Sequence, residues 1–316
     1  MAGSDTKTNE EMNPKEIEKI LQASWDVGFR QLKITGGEPM MRKDPDQILI
    51  AAQNFGFWIS MNTNGVADTT KFMKVLKYLH HVQVSLDGVK QETNDSIRGH
   101  GTFKKILNAV SLFCRESTVA VDIAYTRTPW RYDQPAEIEN FFLSIFEKLP
   151  KVRLKIGSVL FPGREISESS ADRPDLSWQE AIAKVRFRLF QKKPKNVFFP
   201  LDFSPGILTQ SCGFADSLFF AADGKAYPCG ILCNGKSGTP GNCLGDIREH
   251  SLQEISYRLL QKRTSAQVGN TKCKNCYFRF LCGGGCKIKK QPQNCRSIIS
   301  EKIAWFSSEV LEKLLQ

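Results

Sequence analysis

Nine of the ten cysteines in this 316-residue chain fall between Cys212 and Cys295. Four of them, Cys273, Cys276, Cys282 and Cys286, share the stretch KCKNCYFRFLCGGGC as C-x2-C-x5-C-x3-C. Thiolates two residues apart turn both sulfurs toward one centre, and four of them suit tetrahedral zinc or an iron–sulfur cluster. Cys295 follows alone, while Cys212, Cys229 (in GKAYPC), Cys233 and Cys243 precede. Seven to nine clustered thiols exceed the needs of one zinc site, so two metal centres are the economical reading. Iron–sulfur leads that reading; zinc stays open because both accept four-thiolate ligation. Reduced thiols in such a cluster read as metal ligands before disulfides. Cys114, alone on a predicted helix among apolar neighbours, reads as core.

The elements that must position this chemistry alternate along the first half. Asn13 and Pro14 open a helix with a capping-box Glu16, and Gly28 ends it. Strands are predicted at 31–35, 57–61, 82–86, 119–125 and 152–160, with helices at 46–55, 70–79, 103–116 and 135–149. Strand–helix alternation at this spacing predicts βαβ units in a parallel sheet or barrel, with the active site at the carboxyl ends of the strands. The residues there are GGEP (36–39), NTNG (62–65), SLDG (85–88) and PGRE (162–165). Turn chemistry explains any one of them. It explains less well why Glu38, Asn64, Ser85 and Asp87 should crowd one rim together. After residue 165 the rhythm breaks into a polar linker, a helix at 178–191, NVFFPLDF (196–203), the cysteine-rich region and helices at 251–260 and 297–315.

The formal charge is +11, from 44 Lys and Arg against 33 Asp and Glu. The basic residues are spread out, and the local cluster Lys184 to Lys195 reads as a solvated helix face. There is no zinc-finger histidine pair or RNA-recognition motif, so nucleic acid is not the expected partner. No apolar run approaches the ~20 residues that span a bilayer. No signal-peptide core is seen, and a cytoplasmic location is expected by default.

The order C-x11-G-x4-C (Cys212, Gly224, Cys229), then C-x2-C-x5-C-x3-C and a further cysteine, resembles the SPASM domain. That domain is the auxiliary-cluster extension of radical SAM enzymes. Independently, TGGEP, NTNG, VSLDG with NDSIRG, and PGR resemble the radical SAM partial barrel. The resemblance implies an α/β fold: a partial (β/α)6 TIM-like barrel lacking its first strand, then a small cysteine-rich SPASM domain. Its parts would be a disordered lead (1–12), the barrel (13–165), a linker with bridging elements (166–211), SPASM (212–296) and a C-terminal helix (297–316). Gly36, Gly37 and Glu38 would hold the amino group of S-adenosylmethionine, as a carboxylate and open backbone carbonyls suit an ammonium. Asn64 would share that cofactor rim. Ser85 and Asp87 would face the ribose or methionyl end, and Arg98 the methionyl carboxylate.

The resemblance also implies two auxiliary [4Fe-4S] clusters. Cys273, Cys276, Cys282 and Cys295 would ligate one, and Cys212, Cys229 and Cys286 the other. Many relatives carry a further cysteine where Gly206 stands here. The missing ligand would be Cys233 or Cys243, or the site would stay open to substrate. The family's C-x3-C-x2-C motif, whose cluster cleaves S-adenosylmethionine to a 5′-deoxyadenosyl radical, does not occur: no cysteine precedes Cys114. An N-terminally truncated chain is the expectation, with a split enzyme or a degenerate relative as alternatives. The expected activity is that of a maturase-type enzyme, which abstracts hydrogen from a peptide or protein substrate or a small precursor. A ferredoxin or flavodoxin would donate the electron, and a third [4Fe-4S] cluster would have to be supplied. A non-enzymatic iron–sulfur electron-transfer or scaffold protein, and a zinc-binding interaction protein, are the rival readings.

Overall fold

A computed structural model describes residues 11–127, 133–158, 176–197, 215, 217–233, 242–266 and 274–275. The described residues divide into two compact units, one from residue 14 to 197 and one from residue 215 onward that also takes in residues 11–13.

The first unit is an open parallel sheet of five strands, order β1-β2-β3-β4-β5. After α1 (Pro14–Asp26) come β1 (Gln31–Ile34), α2 (Pro45–Phe55), β2 (Trp58–Thr63), α3 (Thr69–Leu76) and β3 (His81–Leu86). Then follow α4 (Gln91–Arg98), α5 (Thr102–Glu116), β4 (Ala120–Arg127), α6 (Pro135–Lys148), β5 (Val152–Ser158) and α7 (Leu176–Lys192). Beyond α7 the Leu154 amide donates to the Asn196 carbonyl at 2.7 Å, and Val197 forms a parallel bridge beside β5. Every predicted strand of this half is present, with ends shifted by up to two residues.

The two sheet faces differ in kind. Along β3, Val82, Val84 and Leu86 are wholly buried, while His81, Gln83 and Ser85 point to the other side. Side chains alternate with a period of two, so neighbours in register share a face. Ile59 and Met61 of β2, Val121, Ile123 and Tyr125 of β4, and Val152 and Leu154 of β5 therefore join β3 in one apolar layer. Helices cover that layer. Along α5 the buried residues Thr102, Ile106, Ala109, Val110, Phe113 and Cys114 make one stripe at helical spacing. Phe113 meets Phe72 of α3 edge-on at 4.9 Å, and Cys114 is buried as its sequence setting suggested. The opposite face carries Lys33, Ser60, Asn62, Asp122, Arg153 and Lys155 and is polar.

Helix α4 has no counterpart in the sequence reading. Its eight residues QETNDSIR hold one aliphatic side chain, so no apolar period announces it. It is fixed by polar contacts. The Asp95 carboxylate accepts the Gly101 and Phe103 amides at 2.7 and 2.8 Å and the Thr102 hydroxyl at 3.1 Å. Burial raises the Asp95 carboxyl, but those hydrogen bonds outweigh it and leave the group below its ordinary value.

The described part of the second unit is a small antiparallel sheet and a helix. Strands β6 (Phe219–Phe220) and β7 (Lys225–Tyr227) form a hairpin, and β8 (Gly245–Asp246) pairs with β7. Gly224 closes the hairpin at φ +86°, a conformation that favours glycine. Helix α8 (Leu252–Ala266) starts at a reciprocal cap, in which Glu254 accepts the Ser251 amide at 2.8 Å and Ser251 accepts the Glu254 amide at 3.3 Å.

Candidate functional site

The carboxyl ends of β1, β2 and β3 carry the predicted cofactor residues. After β1 the chain turns through Gly36, at φ +127°, and the exposed Gly37 into Glu38. Glu38 opens a short 3-10 turn (Pro39–Met41), and its Oε1 accepts the Met40 amide at 3.2 Å. The same carboxylate reaches the next loop: Oε1 accepts the Thr63 hydroxyl at 2.8 Å and Oε2 the Asn64 amide at 2.6 Å. Asn64 in turn accepts the Val66 amide on its own Oδ1 at 2.9 Å. Glu38 and Asn64 are thus brought together as the sequence suggested, with Glu38 as the strap between two loops.

The second group follows β3. Ser85 sits on the polar face opposite Ala124. Two residues on, Asp87 Oδ2 lies 2.7 Å from Arg98 Nε at the end of α4. The Nε–H does not line up as a hydrogen bond, so the contact is a tight ion pair. Burial pushes the Asp87 carboxyl above its ordinary range, and Arg98 pulls it back in part. Gly88 lets α4 come this close: a Cβ there would fall 2.4 Å from the Asn94 amide nitrogen. Asn94, wholly buried, receives the Asp87 amide on Oδ1 at 3.2 Å and donates to Thr102 Oγ1 at 3.0 Å.

Asp133 was not singled out in the sequence. Wholly buried, it accepts the Val89 amide at 2.7 Å and the Tyr125 hydroxyl at 3.1 Å on Oδ2. Its Oδ1 has no hydrogen-bond partner among the described residues. Asp133 thereby pins the turn that carries Asp87. A lone acid before QPAEIENFF looks like a capping residue, and only the fold places it under β3. Asp122 was missed too, although a charged residue inside VAVDIAY breaks an apolar run and was a usable signal.

Whether a polar cofactor fits here can be judged from unmet groups. Glu38 accepts three hydrogen bonds, fewer than a carboxylate's capacity, so it can also receive an ammonium. Asn62 Oδ1 is buried without a partner among the described residues. Such an orphan beside Thr35, within 3.4 Å of Asn62 Nδ2, fits a rim completed by a polar ligand.

In the second unit Cys229 is half-buried in a turn after β7, where its carbonyl accepts the Leu232 amide at 3.0 Å. A half-buried cysteine sulfur there suits a metal or cluster iron. Cys243 is exposed. Cys212, Cys273, Cys276, Cys282, Cys286 and Cys295, like the predicted helix at 297–315, lie outside the described residues.

Two family models match the chain, the radical SAM superfamily over residues 2–142 and the iron–sulfur cluster-binding SPASM domain over residues 212–277. The chain thus carries a radical SAM domain followed by a C-terminal SPASM domain. These domains imply S-adenosylmethionine and iron–sulfur clusters. A probable GTP 3′,8-cyclase of Archaeoglobus fulgidus is 29% identical over 249 residues, 74% of this chain and 82% of that protein. A PqqA peptide cyclase of Rhizobium meliloti is 24% identical over 299 residues, 90% of this chain and 76% of that one. SuiB of Streptococcus suis, solved bound to S-adenosylmethionine, superposes with a TM-score of 0.67 at 19% identity, covering 88% of this chain. This radical SAM chain spans 66% of that SuiB chain. The SuiB structure bound to precursor peptide SuiA has the same TM-score at 17% identity, covering 91% of this chain and 68% of the other. The shared fold is a TIM-like barrel with a parallel sheet. No helix among the described residues is long and apolar enough to cross a membrane.

Proposed function

We propose that this radical SAM/SPASM chain does the binding and positioning work of a maturase-type enzyme, which cleaves S-adenosylmethionine reductively and abstracts hydrogen from a peptide or protein. The observation that carries the reading is the strap from Glu38 to Thr63 and Asn64, with the Asp87–Arg98 pair on the neighbouring strand end. Bound S-adenosylmethionine with a reduced cluster supplies hydrogen-atom abstraction, and the protein supplies orientation. In this reading Gly36, Gly37 and Glu38 hold the ammonium end, and Asn64 is fixed beside them. Ser85 and Asp87 face the ribose or methionyl end, and Arg98 the carboxylate. A third [4Fe-4S] cluster would form beside these residues only where a C-x3-C-x2-C segment is supplied.

Two auxiliary [4Fe-4S] clusters complete the proposal, one on Cys273, Cys276, Cys282 and Cys295, the other on Cys212, Cys229 and Cys286. Cys233, Cys243 or an open position completes the second set. A peptide or protein substrate is favoured by the SuiB complex with its precursor peptide and by the PqqA peptide cyclase relative. A small precursor is the alternative substrate, a ferredoxin or flavodoxin the electron donor and the cytoplasm the location.

Anaerobic reconstitution with iron and sulfide tests the cluster assignment. Two clusters give about eight irons per chain, and Cys229→Ala lowers this toward about four. Stoichiometric zinc without iron would sink the assignment. Addition of a C-x3-C-x2-C segment tests the activity: methionine and 5′-deoxyadenosine should form from S-adenosylmethionine under reduction, and their absence counts against the enzyme.

A further inference from the structure

Residues 87–90, between the end of β3 and the start of α4, are each held by a different contact. Asp87 is met by Arg98 and by Asn94, whose Oδ1 accepts its amide at 3.2 Å. Gly88 packs against the first turn of α4. The Val89 amide donates to Asp133 Oδ2 at 2.7 Å, and Lys90 Nζ donates to Glu137 Oε1 at 2.8 Å. The last two ties come from the segment that opens α6, so the turn after β3 is gripped by the start of the next helix but one. They are unequal. The Lys90 and Glu137 side chains are 49% and 38% exposed, and such a pair contributes little. Val89 and Asp133 are both buried, so water does not compete for their hydrogen bond.

Asp133 is a costly residue at this position. Only its Oδ2 is engaged, by Val89 and by the Tyr125 hydroxyl at 3.1 Å, while Oδ1 is buried without a hydrogen-bond partner among the described residues. Burying a carboxyl group with an unmet oxygen lowers stability. The start of α6 does not call for it, because Glu137 Oε2 accepts the Gln134 amide at 2.8 Å. The apolar layer does not call for it either, since the Tyr125 ring already packs edge-on against Phe142 of α6. What Asp133 adds is its hold on Val89. That hold matters because Gly88 stands between Val89 and Asp87. The close approach of Asn94 requires a glycine there, and glycine is the freest joint a turn can have. Fixing the residue just beyond the joint limits where the Asp87 carboxylate can swing.

We propose that Asp133 is a positioning residue for S-adenosylmethionine, holding the Val89 amide so that the Asp87 carboxylate stays at the cofactor rim. This rests on the reading of Asp87 as a cofactor-facing residue. Asp133 acts through the turn and does not touch the cofactor itself. Its carboxyl group is aimed by Tyr125 from β4 and anchored at the start of α6, so the turn after β3 takes its place from the next strand and helix in the sheet. The working part is the acceptor oxygen on Val89.

The test combines equilibrium dialysis of S-adenosylmethionine with hydrogen exchange, both on the full reconstituted chain. Asp133→Ala should weaken binding about tenfold and speed exchange of the Val89 amide by about tenfold. Asp133→Asn keeps an acceptor for both donors and puts its NH2 where an unpartnered oxygen already stands, so it should stay within about threefold of the parent in both. Phe113→Leu, which loosens the contact of α5 with Phe72, lowers overall stability away from the turn and should leave affinity within about twofold. In an Asp87→Asn background, Asp133→Ala should weaken binding by no more than about twofold further, because the two act through one turn. Parent-like affinity in Asp133→Ala, a loss in Asp133→Asn as large as in Asp133→Ala, an equal loss in Phe113→Leu, or a full further loss in the Asp87→Asn background overturns the proposal. A parent chain that binds no S-adenosylmethionine, while Asp133→Ala still frees the Val89 amide, refutes the cofactor reading and upholds the hold on the turn.

Discussion

Arg98, the last residue of α4, lies 2.7 Å from Asp87 at the end of β3, so an ion pair joins the Asn94–Asp87 hydrogen bond in holding a polar helix to the sheet beside the proposed cofactor. The Asp87 and Arg98 side chains are 12% and 22% exposed. Fully buried pairs lose ~3–5 kcal/mol when one partner is removed, and partial solvation reduces this, so Arg98→Met should cost about 2 kcal/mol in urea unfolding. The pH dependence has a definite sign. Burial places the Asp87 carboxyl above its unfolded value despite Arg98, so the folded protein holds more proton between the two values. Stability falls as pH rises through that window. Arg98→Met should widen the window upward, and Asp87→Asn should remove its slope. Unfolding curves with the same slope in Asp87→Asn as in the parent would contradict this.

Glu38 joins two loops through hydrogen bonds to Met40, Thr63 and Asn64. Glu38→Ala strands the Asn64 amide and the Thr63 hydroxyl and should cost about 2 kcal/mol. It should also weaken S-adenosylmethionine binding about tenfold or more in equilibrium dialysis of the reconstituted protein. Glu38→Gln keeps one acceptor but turns an amide NH2 toward a donor, and should fall between. Unchanged affinity in Glu38→Ala would remove this residue from the cofactor rim.

A methyl group at Gly88 would fall 2.4 Å from the Asn94 nitrogen and 2.7 Å from Thr93 Cβ. Helix backbone cannot yield locally, so Gly88→Ala should cost roughly 1–3 kcal/mol and push α4 outward. Hydrogen exchange should show faster opening of the α4 amides than of those in α5. Equal protection of both helices would mean that the turn absorbs the methyl group.

Tyr125 donates to Asp133, whose other oxygen is unpartnered among the described residues. Among the described residues, Tyr125→Phe leaves that carboxylate with the Val89 amide alone, and it should cost about 1–2 kcal/mol. Burial, with the Asp133 charge adding to it, pushes the Tyr125 hydroxyl far above the ordinary phenol range. Alkaline spectrophotometric titration should therefore leave at least one of the six tyrosines, Tyr125, silent until the protein unfolds. Ionisation of all six while the protein is still folded would refute the buried hydrogen bond.

Local pattern carried much of the fold and the main part of the site. Val82, Val84 and Leu86 alternate with polar residues, so β3 was legible along with which of its faces is buried. GGEP, NTNG and SLDG follow strands, so Glu38, Asn64, Ser85 and Asp87 were legible as strand-end residues. Helix α4 was not, because its stability comes from Asp95 and Asn94 contacts rather than an apolar stripe. The partner of Arg98 was not legible either: its contact with Asp87 depends on a turn tight enough to require Gly88.

The sequence alone determined the strand–helix alternation, the two motif sets and the thiol-rich second unit, since each is written in spacings of a few residues. The tertiary structure decided that Glu38 straps two loops, that Asp133 supports the Asp87 turn, and that His81 and Arg153 meet at Asp122. Those relations join residues from 25 apart, as in Glu38 to Thr63, to 44 apart, as in Val89 to Asp133. They follow from strand order and register, which belong to the packed whole and appear in no local window of the chain.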